Sequence, residues 1–247
     1  MKPEFIIPDW PVKSNIRALS TTRKGGVSEF PYNSFNVASH VDDKIKSVNE
    51  NRSLLQAQGK LPSEPVWLQQ THGTSIVSAT PKLIGGHAQA DGSVCSQANI
   101  VCLVQTADCL PLLVTNQKGD RVGAFHAGWR GLASGIIENG ITAMASEPGQ
   151  ILVWLGPAIG SEYFEVGEEV YQAFDKKYPD CNKIFTESIN GKRHLDIVGA
   201  ARLILGICGV RHIYGGDYCT YRDEERFFSY RRDKKCGRMA SMIWMAD

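Results

Sequence analysis

The sequence contains no Cys-x-x-Cys pair, although it contains seven cysteines. Their number is odd and their positions are scattered, so they do not form the pattern of a disulfide framework. Disulfide-rich proteins belong to oxidising compartments, whereas unpaired cysteines are typical of reducing ones. The cysteine pattern therefore predicts free thiols and a cytoplasmic protein.

The sequence also lacks an excess of charge of one sign and a long apolar run. The 27 basic and 26 acidic side chains give a net charge of +1, so no overall field favours nucleic acid or an anionic membrane. No apolar stretch is long enough to span a bilayer, and residues 1–8 lack the apolar region of a signal peptide. No nucleic-acid or membrane partner is therefore expected, and anion binding depends on local clusters such as the basic segment 221–238.

No internal repeat, low-complexity block or Pro/Ser-rich linker divides the chain. With 247 residues, 43% of them hydrophobic, the chain is long enough to bury a substantial core. We therefore predict one domain over residues 1–247. Predicted strands and helices are mixed without strict alternation, which favours an α+β protein, a single-domain α/β sandwich, over a Rossmann or barrel fold.

Apolar runs predict strands, and apolar residues at helical spacing predict helices. The predicted strands cover 17–21, 66–68, 76–77, 100–104, 110–114, 121–125, 151–155, 211–214, 227–230 and 240–244. The predicted helices cover the segment from Asp43 to Gly59 and the segments 131–146, 166–178 and 196–209. Asp196 and Gly209 are the predicted caps of the last helix. The segments 66–68 and 76–77 are interpreted as a hairpin around His72.

Two motifs and an upstream histidine carry the chemistry. Cys109 lies in Thr-Ala-Asp-Cys-Leu-Pro at the end of one apolar run, and His126 opens His-Ala-Gly-Trp-Arg-Gly at the end of the next. His72 lies in Gln-Gln-Thr-His-Gly. One thiolate and two imidazoles form a borderline-soft metal site with an open fourth position, which is typical of catalytic zinc.

The same side chains allow other interpretations. A single cysteine on an apolar strand is usually a small core residue, and a single histidine beside a glycine is usually a turn residue. The two motifs argue against simple packing, because they place charged residues and glycines where a core needs bulk. Cys109 is alternatively a thiolate nucleophile with His126 as its base.

Neighbouring residues have two interpretations each. Asp108 and Asp91 either orient a histidine through a hydrogen bond or cap a turn. Arg130, beside the amino terminus of the predicted 131–146 helix, is a candidate for binding phosphate or carboxylate. Trp129 is interpreted as a packing residue. The other histidines have no partner motif and are interpreted as surface or structural residues: His40, His87, His194 and His212.

These motifs resemble the YfiH-type laccase-domain family, long described as polyphenol oxidases and linked to purine nucleoside metabolism. The resemblance covers nearly the whole chain. Besides the two motifs above, it includes Ser-Thr-Thr-Arg at 20–23, Gly-Gly-Val-Ser at 25–28, Glu-Asn-Arg at 50–52, Pro-Val-Trp-Leu-Gln-Gln at 65–70, Gly-Pro at 156–157, Phe-Glu-Val-Gly at 164–167, Phe-Phe-Ser-Tyr-Arg-Arg-Asp at 227–233 and Gly-Arg-Met-Ala at 237–240. One departure is Ala158, where some relatives carry cysteine.

The resemblance implies a sandwich fold shared with Cys-His deamidases and a Zn²⁺ site at His72, Cys109 and His126. It implies phosphorolysis of adenosine, inosine, guanosine and methylthioadenosine, with adenosine deaminase activity beside it. On this interpretation the catalytic residues are the three ligands together with Asp108 and Arg130.

Four further residues are predicted to bind substrate. Arg52, together with Arg130, is a candidate for holding phosphate, and Arg23 is a second arginine of the resembling segments. Phe228 and Arg231 belong to an aromatic and basic segment that is predicted to stack on the purine. The alternative for that segment is a core strand with a solvated basic end.

Three competing functions remain open. A copper-loaded polyphenol oxidase (laccase) activity needs more imidazoles than the six histidines supply, but one Cu²⁺ at the proposed zinc site is compatible with slow oxidase activity. A Cys-His amidohydrolase acting on an amino-acid-bearing, cell-wall-type precursor leaves His72 without a role. A non-enzymatic metal-binding module requires a closed four-ligand site, for which Cys95 is the nearest spare candidate.

Overall fold

The computed structural model describes residues 2–187 and 192–247. In these residues the chain forms six α-helices. They are α1 (Ile45–Gln58), α2 (Trp129–Ser134), α3 (Ile136–Ala143), α4 (Glu168–Asp175), α5 (Ile197–Ile207) and α6 (Tyr230–Asp233). None of these helices is both long and apolar enough to cross a bilayer.

The strands of the described residues build four sheets. They are β1 (Phe5–Ile6), β2 (Ile16–Thr21), β3 (Trp67–Gln69), β4 (Ile76–Ser78), β5 (His87–Gln89), β6 (Gly92–Cys95), β7 (Cys102–Thr106), β8 (Leu110–Asn116), β9 (Val122–Ala127), β10 (Ile151–Leu155), β11 (Glu165–Val166), β12 (Phe185–Glu187), β13 (Arg193–Leu195), β14 (His212–Gly215) and β15 (Met239–Met245). The sheet orders are β1-β2-β15-β7, β14-β10-β8-β9-β6-β4, β11-β13-β12 and β3-β5.

The two larger sheets pack face to face between two helical layers. Leu113 of β8 and Ile243 of β15 belong to the apolar layer between the sheets. On the outer face of the six-stranded sheet, Leu112 packs with residues of α2 to α5. On the outer face of the four-stranded sheet, Met242 packs with Leu55 of α1. Strands buried on both faces explain the continuous apolar runs, and the mixed α+β sandwich is confirmed.

One strand pair brings the two motifs together. β8 and β9 are antiparallel neighbours, and Pro111 lies opposite His126 in their ladder. Cys109 immediately precedes β8, so the hairpin places it beside the end of β9. The predicted proximity of the two strand ends is therefore confirmed.

The predicted hairpin around His72 is wrong. β3 pairs in parallel with β5, and β4 pairs in parallel with β6. The two segments therefore belong to different sheets, and the turn that carries His72 bridges them. Short β-branched runs predict strands, but they do not specify which partner each strand takes.

Two other predicted elements differ in the structure. The predicted 131–146 helix is two helices, α2 and α3, because Gly135 adopts a left-handed conformation with φ of 112°. The predicted strand at 227–230 is absent from the described structure, where α6 begins at Tyr230. Phe227 and Phe228 are fully buried in the layer between the two larger sheets. Apolar character there reflects burial of two rings rather than a strand.

The caps of α5 agree with the sequence. Asp196 accepts a hydrogen bond from the backbone N–H of Gly199 at 2.8 Å, which satisfies one of the free amides of the first turn. Gly209 follows the helix in a left-handed conformation with φ of 84°, as glycine does after many helix ends. The seven cysteines are free in the structure.

Candidate metal centre

His72 lies in an exposed turn with an unusual backbone conformation. Its φ is 61°, a left-handed value that is uncommon outside glycine. The turn holds this conformation because the buried carboxylate of Asp91 accepts hydrogen bonds from the backbone N–H groups of Thr71, His72 and Gly73. The imidazole is thereby held over the ends of β8 and β9.

The three predicted ligands meet at one point. The donor atoms of His72, Cys109 and His126 all lie within 4.8 Å of one another. The Cys109 Sγ and His72 Nε2 atoms are 3.8 Å apart. The two imidazole rings meet edge to face, with centroids 4.8 Å apart and planes at 76°. His126 is buried, Cys109 is half-buried and His72 is exposed.

Asp91 connects two of these ligands. Its Oδ1 lies 2.8 Å from His126 Nδ1, so His126 Nδ1–H donates to the carboxylate and Nε2 remains for a metal or a proton. The same carboxylate receives the three amides of the His72 turn. A carboxylate that orients a ligating histidine is the usual support of a metal site. The sequence allows two roles for Asp91, orienting a histidine or capping a turn. In the structure it does both, for His126 and for the turn at His72.

The site favours a thiolate. Burial alone would raise the pKa of the Cys109 thiol, but the charge and hydrogen bond of His126, with those of His72, outweigh it and lower the pKa to about 6. For His126, the thiolate and the Asp91 carboxylate outweigh the effect of burial and raise the pKa. For Asp91, hydrogen bonds from His126 and the Gly73 amide outweigh burial and hold the pKa well below its usual range.

Gly128 gives the ligands their space. A Cβ atom at this position would lie 3.0 Å from His72 Cδ2 and 3.1 Å from Cys109 Sγ. A methyl group there would press on both ligands, which gives this glycine of the His-Ala-Gly-Trp-Arg-Gly motif a steric role.

The donor set fits a borderline-soft divalent metal. A thiolate and two imidazoles, one of them oriented by a carboxylate, are the ligands expected of catalytic zinc with one position open to substrate. The same set also accommodates copper. Cys95 forms a contact with Gln97 instead, so it contributes no fourth ligand to the cluster.

The centre opens into a cavity of about 690 Å³. The cavity wall combines the three ligands with aromatic and cationic side chains. Predicted site residues on this wall are His72, Asp108, Cys109, His126, Arg130 and Arg231.

Asp108 has a different environment from the one predicted. Its carboxylate accepts hydrogen bonds from Thr220 Oγ1 at 2.6 Å and from the backbone N–H of Arg231 at 2.6 Å. The backbone φ of Asp108 is 92°. Asp108 therefore fastens the Cys109 loop to the start of α6, and Asp91 is the carboxylate that orients the histidine.

Three predicted substrate-binding residues lie outside the lining of this cavity. The Arg23 guanidinium donates to the backbone carbonyls of Asn33 and Glu224 and lies 4.8 Å from the centroid of the Phe228 ring. Phe228 is fully buried, so its ring is not accessible to a purine. Arg52 donates to the Val37 carbonyl, and its guanidinium stacks 3.7 Å from the Trp67 ring. All three contacts join segments of the fold.

Several cavity residues are not among the predicted site residues, and His40, interpreted as a surface or structural residue, is one of them. Phe164 and Tyr230 supply aromatic surface, and His40, Lys234 and Arg238 supply polar groups. These residues lie far apart along the chain, so the sequence does not show that they meet in one cavity. Only the basic segment 221–238 gave a signal, because it contains both Lys234 and Arg238.

Comparison with known proteins finds relatives that match nearly the whole chain. Residues 17–246 match the model of a family described as multi-copper polyphenol oxidoreductase laccase. A Shigella flexneri protein named purine nucleoside phosphorylase YfiH is 47% identical over 98% of this chain and 99% of its own length. A Pseudomonas aeruginosa protein named purine nucleoside phosphorylase PA4543 is 43% identical over 98% of this chain and 99% of its own.

Solved structures give the same result for the fold. The crystal structure of a Neisseria meningitidis protein of the DUF152 family is 44% identical, with a TM-score of 0.94 over 98% of this chain and 99% of that one. The structure of YlmD from Geobacillus stearothermophilus is 30% identical, with a TM-score of 0.89 over 98% of this chain and 99% of that one.

Proposed function

This chain belongs to the multi-copper polyphenol oxidoreductase laccase family, and we propose that it is a zinc-dependent purine nucleoside phosphorylase. The observation that carries the proposal is the His72, Cys109 and His126 cluster at the base of a cavity, in a chain whose full-length relatives are named purine nucleoside phosphorylases. The proposed substrates are adenosine, inosine, guanosine and methylthioadenosine, together with inorganic phosphate.

Phosphorolysis replaces one bond at the ribose C1′. An oxygen of hydrogen phosphate bonds to C1′, the C1′–N9 bond breaks, and its electron pair leaves with the purine. The proton of hydrogen phosphate ends on the base, so a neutral purine and ribose 1-phosphate are released. The cavity therefore has to hold an anion and a nucleoside side by side.

The chain's own residues supply this arrangement. The aromatic rings of Trp129 and Phe164 line the cavity and provide apolar surface for the purine. Arg130, in the same wall, neutralises negative charge on phosphate or on the leaving base. His72, Cys109 and His126 would hold the zinc ion, which supplies a Lewis acid to the reacting region when it is bound. Asp91 keeps both imidazoles in position.

Adenosine deaminase activity is proposed as a companion reaction of the same centre. Water replaces the 6-amino group of adenosine, so that inosine and ammonia form without phosphate, and the products distinguish this reaction from phosphorolysis. The chain lacks the His-x-Glu and Pro-Cys-x-x-Cys motifs of the base deaminases, so the reaction would use the His-Cys-His centre instead.

The test is product analysis with protein of measured zinc content. Inosine and adenosine are incubated with and without phosphate, and the bases are resolved by chromatography, with Cys109→Ala as the control. We expect phosphate-dependent release of hypoxanthine and adenine, and phosphate-independent inosine from adenosine, all lost in Cys109→Ala. Absence of base release by zinc-loaded wild-type protein would contradict the proposed function.

A second candidate function follows from the paired Cys109 and His126. A thiolate beside a protonated imidazole is also the arrangement of a nucleophile and its base, so a Cys-His amidohydrolase acting on an amino-acid-bearing, cell-wall-type precursor is the alternative. The two differ in thiol reactivity. A zinc-bound thiolate is shielded from alkylation, whereas a catalytic free thiolate reacts rapidly in the active protein.

The copper of the family description raises a third candidate, polyphenol oxidation. Among the described residues, one group of three or more close His, Cys or acidic side chains has the arrangement of a metal site, which supports a single ion rather than several coppers. Copper loading followed by a phenol-oxidation assay tests this candidate, and we expect its rate to be slow beside phosphorolysis.

A further inference from the structure

The cavity carries cationic side chains that lack acidic partners. Arg130, Lys234 and Arg238 line it, and in the described part of the chain no carboxylate oxygen lies within 4.0 Å of their charged nitrogens. Other cations of the described residues do form ion pairs, for example Arg226 with Glu4 at 2.9 Å and Lys177 with Glu138 at 2.8 Å. Unpaired positive charge in a concave surface attracts anions.

The one carboxylate on the described cavity wall, Asp108, forms no ion pair with these cations. Both oxygens of Asp108 are hydrogen-bonded, one to Thr220 and the other to the Arg231 amide. Arg231 also donates from Nη1 to the carbonyl of Glu165 at 2.9 Å, so part of its guanidinium is used within the fold. Besides Arg231, the cations of the cavity wall on the α6 side are Lys234 and Arg238.

Lys234 and Arg238 lie around one tyrosine. The Lys234 Nζ atom is 5.9 Å and the Arg238 Cζ atom 5.8 Å from the centre of the Tyr230 ring. Arg238 donates from Nη1 to the carbonyls of Cys236 and Gly237, and the described structure gives its Nε and Nη2 no partner. Tyr230 is 53% exposed, and its hydroxyl likewise has no partner among the described residues. Lys234, Arg238 and the Tyr230 hydroxyl therefore each offer a donor around one exposed ring.

The segment that presents these donors is held rigidly. The Arg232 guanidinium donates to the carbonyls of Thr220, Tyr221 and Phe227. Lys234 follows α6 with a positive φ of 59°. The Asp108 bond to α6 ties this segment to the loop that carries Cys109. A site fixed before binding loses little conformational entropy when an anion arrives.

We propose that Lys234, Arg238 and the Tyr230 hydroxyl form the subsite for the phosphate dianion. The assignment rests on the proposed function and names the residues that hold its co-substrate. It places phosphate on the α6 wall rather than at Arg52, whose guanidinium packs on Trp67. Because Asp108 connects α6 to the Cys109 loop, the phosphate and the His-Cys-His centre keep a fixed separation.

The test compares two neighbouring lysines. Lys234→Gln removes a charge from the cavity wall, and Lys235→Gln removes the same charge one residue away, outside the cavity lining. The readouts are the KM values for phosphate and for inosine, and phosphate binding to the zinc-loaded protein by calorimetry. We expect Lys234→Gln to raise the KM for phosphate by about tenfold or more, because the variant loses one charge-assisted hydrogen bond to phosphate. The KM for inosine should change little, and Lys235→Gln should behave as wild type.

Two further variants keep the result interpretable. Arg238→Lys retains the charge but loses the planar fork, and Tyr230→Phe loses only the hydroxyl. Each of these single variants is expected to weaken phosphate binding less than the double variant that carries both Lys234→Gln and Arg238→Lys. An unchanged phosphate KM and unchanged phosphate binding in that double variant would overturn the subsite.

The failure of this assignment is distinguishable from failure of the proposed function. If wild-type protein releases no base but binds inorganic phosphate in a Lys234-dependent manner, the subsite stands and phosphorolysis does not. If phosphorolysis occurs and all variants retain the wild-type phosphate KM, the function stands and the subsite is wrong. Lys234 dependence of adenosine 5′-monophosphate binding alone, without an effect on inorganic phosphate, would contradict the assignment to the co-substrate.

Discussion

Asp91 is a fully buried carboxylate that supports two of the proposed metal ligands at once. It accepts from His126 Nδ1 and from the amides of the His72 turn. In Asp91→Asn, an amide NH₂ replaces one acceptor oxygen and faces N–H donors, so at least one buried donor loses its partner. Supporting residues of this kind typically contribute 10–100-fold to metal affinity.

We therefore expect Asp91→Asn to bind zinc about 10–100-fold more weakly than wild type. The measurement is competition with a chromogenic chelator at constant pH. Asp217→Asn, an exposed carboxylate outside the centre, is the matched control. Equal zinc affinities in Asp91→Asn and wild type would show that the carboxylate supports the fold alone.

The lowered pKa of Cys109 predicts how the alkylation rate of this thiol changes with pH. Its pKa is lowered to about 6 from the usual 9.0, so the metal-free protein keeps the reactive thiolate down to about pH 6 and loses it below. The alkylation rate with iodoacetamide should therefore fall with a midpoint near pH 6 rather than near 9. His126→Gln removes the stabilising charge and should move the midpoint upward. Zinc should protect the thiol in wild-type protein, and a midpoint near 9 would contradict the description of the centre.

At the residue scale, the sequence predicts the ligands but not their support. Cys109, His126 and His72 stand out because each lies in a motif that packing does not explain. Asp91 and Asp108 both precede small or apolar residues, so the sequence does not distinguish their roles. The distinction depends on ladder contacts, since the His126 amide donates to the Asp91 carbonyl and thereby brings the two side chains together.

Among the elements, α3 packs closely on the six-stranded sheet because of one glycine. A Cβ atom on Gly140 would lie 2.5 Å from Cε2 of the buried Phe125, too close for either to remain in place. In α5, Gly206 faces open space, with no atom within 4 Å of its Cβ position. The two helix glycines therefore respond oppositely to the same substitution.

We expect Gly140→Ala to destabilise the protein by about 1–3 kcal/mol through overpacking. Gly206→Ala should stabilise it by about 0.5–1 kcal/mol, because alanine is the better helix former. Denaturant unfolding of both variants at equal zinc content measures the difference. If Gly140→Ala proved as stable as Gly206→Ala, α3 would lie farther from the sheet than described.

At the element scale, boundaries were more predictable than partners. Buried strands such as β10 and the caps of α5 follow from local sequence. Local sequence does not predict which partners the strands that flank the His72 turn take. Each of them pairs in parallel with a later strand, and the two pairs belong to different sheets. The break at Gly135 was missed because the apolar residues on both sides continue the same helical spacing. The predicted strand at Phe227 and Phe228 is wrong because apolar character alone does not separate a buried loop from a strand.

Across the whole molecule, layering determines where the chemistry lies. The two stacked sheets bury the strands on both faces, while the loops at the ends of β8 and β9 remain accessible at the cavity. The net charge of +1 conceals a cavity wall with unpaired cations, since the neutralising carboxylates lie elsewhere on the surface. Overall charge therefore predicts the absence of a global field, but it does not reveal the cations on the cavity wall.

The central claim is that base release depends on the metal held by His72, Cys109 and His126. The most direct test is titration of metal-free protein with zinc while phosphate-dependent hypoxanthine release from inosine is measured. The account predicts that the rate rises in proportion to bound zinc, saturates at about one ion per chain and stays at background in Cys109→Ala. Full activity in protein without bound metal, or in zinc-free Cys109→Ala, would contradict it.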